Sequence, residues 1–313
     1  MHPINKIINT SLGILLFIPF LYLSFIFADF QYGDNVPYAT LYNFASNNSF
    51  IDIYTFQLAS INASEPMMAL IIYIFSSLKF SYPFFILITN LFFVFILIRF
   101  SSIFQPTSMY IPFALMLYFA TDFYVLKMFI ELHRLKLGIA FLLLVLITNR
   151  NMKVIYFVAG VLSHLQILLF SPYFFDKIKQ NFLMISLSFL AIFYFFSDYI
   201  ADKFLYYLSR SEFQTAFIII TISLFVFILS TLLKLKNRIY IFKIALLILF
   251  FSLFIGGDRI LFIFFEAIIL YLFFQFYNIK KISNKLPLLI MFTTFLVLVN
   301  LFRVNLYLAG LAI

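Results

Sequence analysis

Long uninterrupted apolar runs set the terms for this chain. They lie at about 7–28, 66–78, 83–98, 109–120, 135–148, 152–172, 182–197, 213–233, 239–257, 260–277 and 286–302. In lipid such segments must pair every peptide group internally, so they are helices or strands of a closed barrel. Barrel strands alternate apolar and polar residues over about ten positions, whereas these runs are apolar throughout, which selects helices. Composition agrees: hydrophobic residues make up 65% of the 313 and charged ones 11%, against about a quarter charged in soluble domains. The chain therefore reads as an all-α polytopic membrane protein, a single integral membrane domain over 1–313. A crossing takes about 20 residues and several runs are too short to cross alone, which gives about 9–11 transmembrane or re-entrant helices. No internal repeat or low-complexity linker divides them.

The net charge of +9 belongs, in such a protein, to cytoplasmic loops rather than to nucleic-acid binding. There is no cysteine, and the three histidines, His2, His133 and His164, are scattered. Disulfides and thiolate-metal sites are thereby excluded. The first run starts a few residues from Met1 behind Lys6 and is too long for a signal-peptide core, so it reads as a retained signal anchor. That orientation sends residues 29–63 to the outer face as the longest polar loop.

Further along, Lys177/Lys179, Lys234/Lys236/Arg238 and Lys280/Lys281/Lys285 alternate consistently if each cluster is cytoplasmic. Residues 198–212 then form a second outer-face loop, with the "GGDR" turn at 256–259 also outside. Between 66 and 172, five plain crossings would put Arg150 and Lys153 of "NRNMK" outside and Arg134 inside. The preferred reading makes 152–172 re-entrant, returning at His164, together with one other short run. "NRNMK" is then cytoplasmic and Arg134 faces out.

Several residues in this frame have chemical capacity. In "DFQYGDNVPYATLYN", Asp34 or Asn35 can cap a helix starting near Val36, with Pro37 in its first turn. Tyr38 and Tyr42 then share a face, four apart. One expectation is a short amphipathic helix on the outer surface with tyrosines toward the headgroups and a functional carboxylate at its start; spacing alone favours the plainer one, an interfacial anchor with Asp34 only a helix cap. In "ASEPMMALI", Glu65 precedes Pro66, which opens the next run; capping by Ser64 or Glu65 is the ordinary alternative. In "ELHRLKLGIAFLLL", Arg134 heads a run, with Lys127 and Lys136 nearby, and its planar fork of donors suits phosphate or, alternatively, snorkels to headgroups. His164 of "AGVLSHLQILLFSP" sits mid-run, where an ionisable group needs a cavity or a partner, Ser163 or a carbonyl sufficing. In "GGDRILFIFFEAIIL", Arg259 lies at a boundary, with Glu266 seven residues deeper on nearly the same face. Arg210, in "DKFLYYLSRSEFQ", is a further outward-facing cation.

The ordered set of first span, "GDNVPY", "EP" opening a run, Arg134 in "RLKLGIA" and the His and Pro of "AGVLSHLQILLFSP" resembles the EpsG-type membrane proteins and related Wzy polysaccharide polymerases of bacterial O-antigen and capsule pathways. It covers Met1 to about Pro172, and Arg259 matches loosely. The chain departs from the pattern at His133 and Leu135, which flank the arginine, and at Gln166.

The resemblance implies a glycosyltransferase at the outer face of the bacterial cytoplasmic membrane, moving a glycan from undecaprenyl pyrophosphate onto another lipid-linked repeat unit. It implies Asp34 as first and Glu65 as second choice of general base, and Arg134 and Arg259 on the departing pyrophosphate. His164 is then a donor or orienting group, and Tyr38 and Tyr42 stack on sugars. Its partners are the lipid-linked oligosaccharide, membrane lipid and a chain-length regulator protein, with no nucleic acid. No cofactor is required, although Asp34 and Glu65 have the oxygen ligands to share a divalent cation. A lipid-linked oligosaccharide flippase or transporter is the alternative class, and a ligase or single-sugar transferase of the same pathway a third.

Overall fold

The computed structural model describes residues 3–29, 35–61, 63–104, 110–148, 150–164, 167 and 286–311, and isolated positions between 219 and 273. Residues Met1–Ile167 and Lys280–Ile313 form one compact unit and Leu168–Ile279 a second. The described positions of the second unit are helical.

In the first unit the order is α1 Pro3–Ile26, ending in a 3-10 turn Phe27–Asp29, then α2 Asn35–Ala45, α3 Phe50–Ile61, α4 Pro66–Ser77, α5 Tyr82–Ser101, α6 Tyr110–Phe119, α7 Phe123–Ile130, α8 His133–Ile147 and α9 Arg150–Ser163. A last described helix, α10, spans Leu286–Leu311. No strand occurs among the described residues. The exterior is apolar: Leu15, Ile51, Met291 and Phe302 are more than half exposed, while Asn35, Gln57, Asn90 and Lys136 are fully or almost fully buried. Water would not tolerate so many exposed large apolar side chains. The protein is an all-α, membrane-embedded one. Two described helices, α5 and α10, are long and apolar enough to cross a bilayer, and α6 with α7 make a third span if that pair, bent by 54°, counts as one.

Local chemistry sets the ends of these helices. Ser81 caps α5 by accepting from Phe84 N, and Pro83 occupies its first turn. Asp122 caps α7 by accepting from Tyr124 N and Val125 N, both at 2.9 Å, which breaks the apolar run between α6 and α7. The α10 helix packs on α6 and α7. There the Arg303 guanidinium lies 4.6 Å and 4.7 Å from the Phe123 and Tyr124 rings, and the Tyr307 hydroxyl donates to Glu131. Cation–π contacts of this kind strengthen where water is excluded.

The segment 29–63 is more ordered than a loop with one surface helix. It holds a second helix, α3, whose start is fixed by a reciprocal cap: the Ser49 hydroxyl and Ser49 N donate to the Asp52 carboxylate at 2.6 and 3.2 Å, and Asp52 N donates to Ser49 Oγ at 3.4 Å. Such a box satisfies two otherwise unpaired helix donors. Both α2 and α3 pack on α4. The expected direction of the α2 tyrosines is overturned: Tyr38 and Tyr42 are buried in a cluster with Leu41, Ile72 and Phe85. Their side of α2 is its apolar side, with Leu41 and Ala45, and Thr40, Asn43 and Ser46 take the exposed side. Pro37 falls in the first turn of α2, as its fixed φ favours.

Candidate functional site

The site is built where α2, α4 and α8 meet, around a carboxylate that is free of capping duty. Pro66 occupies the first position of α4, and Glu65, at its N-cap, makes no side-chain cap bond. Ser64 caps nothing either, its hydroxyl being buried without a hydrogen-bond partner. Two α3 side chains hold this stretch. Gln57 donates to the Ala63 and Glu65 carbonyls at 3.0 and 2.8 Å, and the Tyr54 hydroxyl donates to the Ser64 carbonyl at 2.9 Å. Burial, and then the charge of Glu65, push the Tyr54 phenol above its ordinary value. The extra helix thus serves to fix Glu65.

The Glu65 carboxylate meets Arg134 on the first turn of α8, Oε2 accepting from Nη1 at 2.7 Å, with side chains 5% and 13% exposed. Arg134 Nε donates to the Tyr38 hydroxyl at 2.6 Å. Snorkelling is therefore excluded for Arg134: its guanidinium turns inward onto two groups 69 and 96 residues earlier in the chain. A guanidinium holds its charge at any accessible pH and offers a rigid fork of donors, so this is a preformed anchor for anionic oxygen.

Behind the pair lies a buried polar network that sequence reasoning did not single out. Lys136 is fully buried and makes no ion pair among the described residues. Its ammonium faces three acceptors: Asn90 Oδ1 at 2.6 Å, Thr89 Oγ1 at 3.0 Å and His133 Nδ1 at 3.4 Å. An ammonium has three donors, so the set is matched. Two donors cannot face each other, so Lys136 and His133 share a single positive charge. With Nδ1 accepting, His133 carries its proton on Nε2, which points at Asn35 Oδ1 at 3.5 Å. The same Asn35 oxygen accepts from the Tyr82 hydroxyl at 2.5 Å, and Asn35 Nδ2 donates to the Phe27 and Ala28 carbonyls at 3.2 and 3.0 Å. Asn35 thus ties the start of α2 to the end of α1. The His133 ring also packs edge-on against Tyr38, centroids 5.3 Å apart. Network and ion pair thus meet at Tyr38.

His164 follows the last residue of α9 and is buried. The helix stops there, and Ile167 N returns to the His164 carbonyl at 3.0 Å. A Cβ placed on Gly138 would lie 2.9 Å from His164 Cβ, so α8 and α9 touch at this glycine. Gly138 is one turn beyond Arg134 on the same face of α8. Tyr42 stands apart from the ion pair. Its hydroxyl donates to the Phe80 carbonyl at 2.9 Å, its ring packs on Tyr82 and Phe85, and burial pushes its phenol up to about 12. It remains a neutral donor at any physiological pH.

Asp34, Arg210 and Arg259 lie outside the described residues, as do all of 198–212 and every basic cluster after residue 176. Glu266 is helical, half-buried and part of the second unit. No group of three or more His, Asp or Glu side chains suited to a metal occurs among the described residues. No family model, curated protein or solved structure matches this chain.

Proposed function

We propose that this protein is a polysaccharide polymerase, a glycosyltransferase of the bacterial cytoplasmic membrane that joins undecaprenyl-pyrophosphate-linked repeat units at the outer face. The observation that carries the reading is the convergence of Glu65, Arg134 and Tyr38. Each comes from a different short motif of the polymerase-like order, and Arg134 donates directly to both of the others in a largely dry setting.

In the proposed reaction an acceptor sugar hydroxyl attacks the anomeric carbon of the glycan on its lipid carrier. The anomeric C–O bond to phosphate breaks, and the electron pair leaves with undecaprenyl pyrophosphate. The hydroxyl proton passes to a carboxylate within hydrogen-bond reach. Asp34 is assigned that role, because the charge of Glu65 is already balanced by Arg134 and Glu65 serves to aim the guanidinium. Arg134 stabilises the departing pyrophosphate, where a preorganised donor in a low-dielectric cleft is most effective. Arg259 and Glu266 are assigned to substrate binding on the sequence alone, and His164 orients the phosphate end. The topology proposed with it has Lys6 inside, residues 29–63 and 198–212 outside, and α9 as a re-entrant helix ending at His164. A flippase or transporter is the second reading, favoured by the 54° break between α6 and α7, since discontinuous helices commonly line transport paths.

Reconstitution separates the two. Purified protein in liposomes, given lipid-linked repeat units on the outer leaflet, should form long lipid-linked chains with wild type, and none with Asp34→Asn. Translocation of repeats without any chain growth would replace the polymerase by the transporter.

A further inference from the structure

The structure points to a second binding feature beside the ion pair, a cleft of about 530 Å³ between α2 and the start of α5. One wall is the exposed side of α2, with Thr40, Asn43 and Ser46; the other is Phe80–Pro83, and Asn35 and Tyr42 lie at its base. The second wall is held by an unusual turn. After α4, Lys79 adopts a left-handed φ of 57°. Phe80 N then donates to the Phe75 carbonyl at 3.2 Å and Lys79 N to the Ser76 carbonyl at 2.9 Å. This is the Schellman arrangement that closes a helix, in which glycine usually takes the left-handed position.

We propose that this cleft binds a neutral polyhydroxylated ring, a sugar residue of the glycan acceptor. The argument rests on where its hydrogen atoms already go. Thr40 donates to the Val36 carbonyl at 2.9 Å, Ser46 to the Asn43 carbonyl at 2.8 Å, Tyr42 to the Phe80 carbonyl at 2.9 Å and Tyr82 to Asn35 at 2.5 Å. Thr40, Ser46 and Tyr42 have therefore turned their protons to the protein and face an occupant as acceptors, while Ser81, which also lines the cleft and accepts from Phe84 N at 3.4 Å, offers a hydroxyl donor. A ligand that carries O–H donors as well as acceptors complements this mixed set better than phosphate or carboxylate, which offer acceptors only. No charged side chain is among the described residues lining the cleft. Asn43, exposed and with no protein partner for its amide among the described residues, is the adaptable donor and acceptor that reads such a ring. Phe80 and the Tyr82 ring supply apolar faces for the C–H side of a sugar. The two features divide the labour: Arg134 takes the charged end of a lipid-linked substrate, and this cleft takes a neutral sugar. Shared elements link them, because α2 carries Tyr38 to Arg134 and Asn35 to the cleft. In the identity of its occupant the cleft rests on the polymerase reading.

The native chain has no cysteine, so a single thiol reports the cleft. Purified Ser46→Cys and, as a second cleft position, Thr40→Cys are labelled with N-ethylmaleimide, with Ile51→Cys on the outer side of α3 as the control. The probes are a glycolipid extract of the host membranes, the water-soluble saccharide released from it by mild acid, and that saccharide after periodate cleavage of its vicinal diols. The extract and the released saccharide are expected to slow labelling severalfold at both cleft thiols and to leave Ile51→Cys unchanged; the periodate-treated saccharide should protect nothing. Equal labelling in all conditions overturns the assignment. So does protection by the lipid extract with the released saccharide inert, which would make the occupant a lipid headgroup, or protection that survives periodate. Protection of the cleft with no chain growth by wild-type protein would fell the polymerase reading and leave the cleft standing; chain growth without protection would do the reverse.

Discussion

Neutralising Glu65 alone should destabilise the protein far more than neutralising Glu65 and Arg134 together. The two side chains are 5% and 13% exposed and 2.7 Å apart. Glu65→Gln takes the carboxylate from a guanidinium in a dry site, and removing one member of a buried pair typically costs about 3–5 kcal/mol. For a chain of this size that is on the order of 10 °C in unfolding temperature. Arg134→Gln removes the guanidinium that pairs with this carboxylate and should cost a similar amount. In Glu65→Gln/Arg134→Gln neither charge of the pair remains and two amides can bond to each other, so the double variant should cost less than either single, which requires a coupling larger than the cost of one single, about 3–5 kcal/mol. The assay is the fraction of detergent-solubilised protein that stays monodisperse through a heating series. Single variants within a degree or two of wild type, or a double variant that equals the sum of the singles, would show that the pair is not the buried, mutually dependent unit described here.

Other substitutions probe the neighbouring structure. Lys136→Met removes the donor for Asn90, Thr89 and His133 and should cost about 1–3 kcal/mol per stranded buried acceptor in the same heating series. Gly138→Ala places a methyl 2.9 Å from His164 Cβ and 3.0 Å from Ile167 Cγ1, and overpacking of this kind costs about 1–3 kcal/mol. Gly310→Ala, with nothing within 4 Å, should instead gain a few tenths to about 1 kcal/mol from helix propensity. Lys79→Gly relieves the left-handed φ of 57° and should raise the unfolding temperature by the equivalent of about 1 kcal/mol; a lower temperature would show that the lysine side chain has a role of its own there.

Much of this was legible in local sequence rules and little of it in long-range ones. Pro66 sits where a proline before an apolar run should, and the four-residue spacing of Tyr38 and Tyr42 does place them on one face. Spacing cannot say which way a face points, however. Membrane logic sent those tyrosines toward headgroups, and the protein turns them inward because Leu41 and Ala45 share their side of α2. The S-x-x-D pattern of "SFID" announces α3, yet in a segment read as an outer-face loop it did not register as a helix start. The chemistry of Arg134 is legible in its residue type and place, but Lys136, two residues on, reads only as a nearby cation. Its acceptors on α5 lie 46 and 47 residues upstream, and no local pattern reveals a lysine satisfied by an asparagine, a threonine and a histidine. The same holds for His133, read only as a departure from the polymerase-like motif, which proves to be the link between the buried ammonium and Asn35.

The most direct test of the central claim uses the glycan itself. Cells carrying Glu65→Gln/Arg134→Gln as their sole copy, with membrane abundance matched to wild type, should show single repeat units on the lipid carrier at the outer face and no long chains, because the restored stability of the pair brings back no anchor for pyrophosphate. A wild-type ladder of chain lengths in those cells would contradict the account.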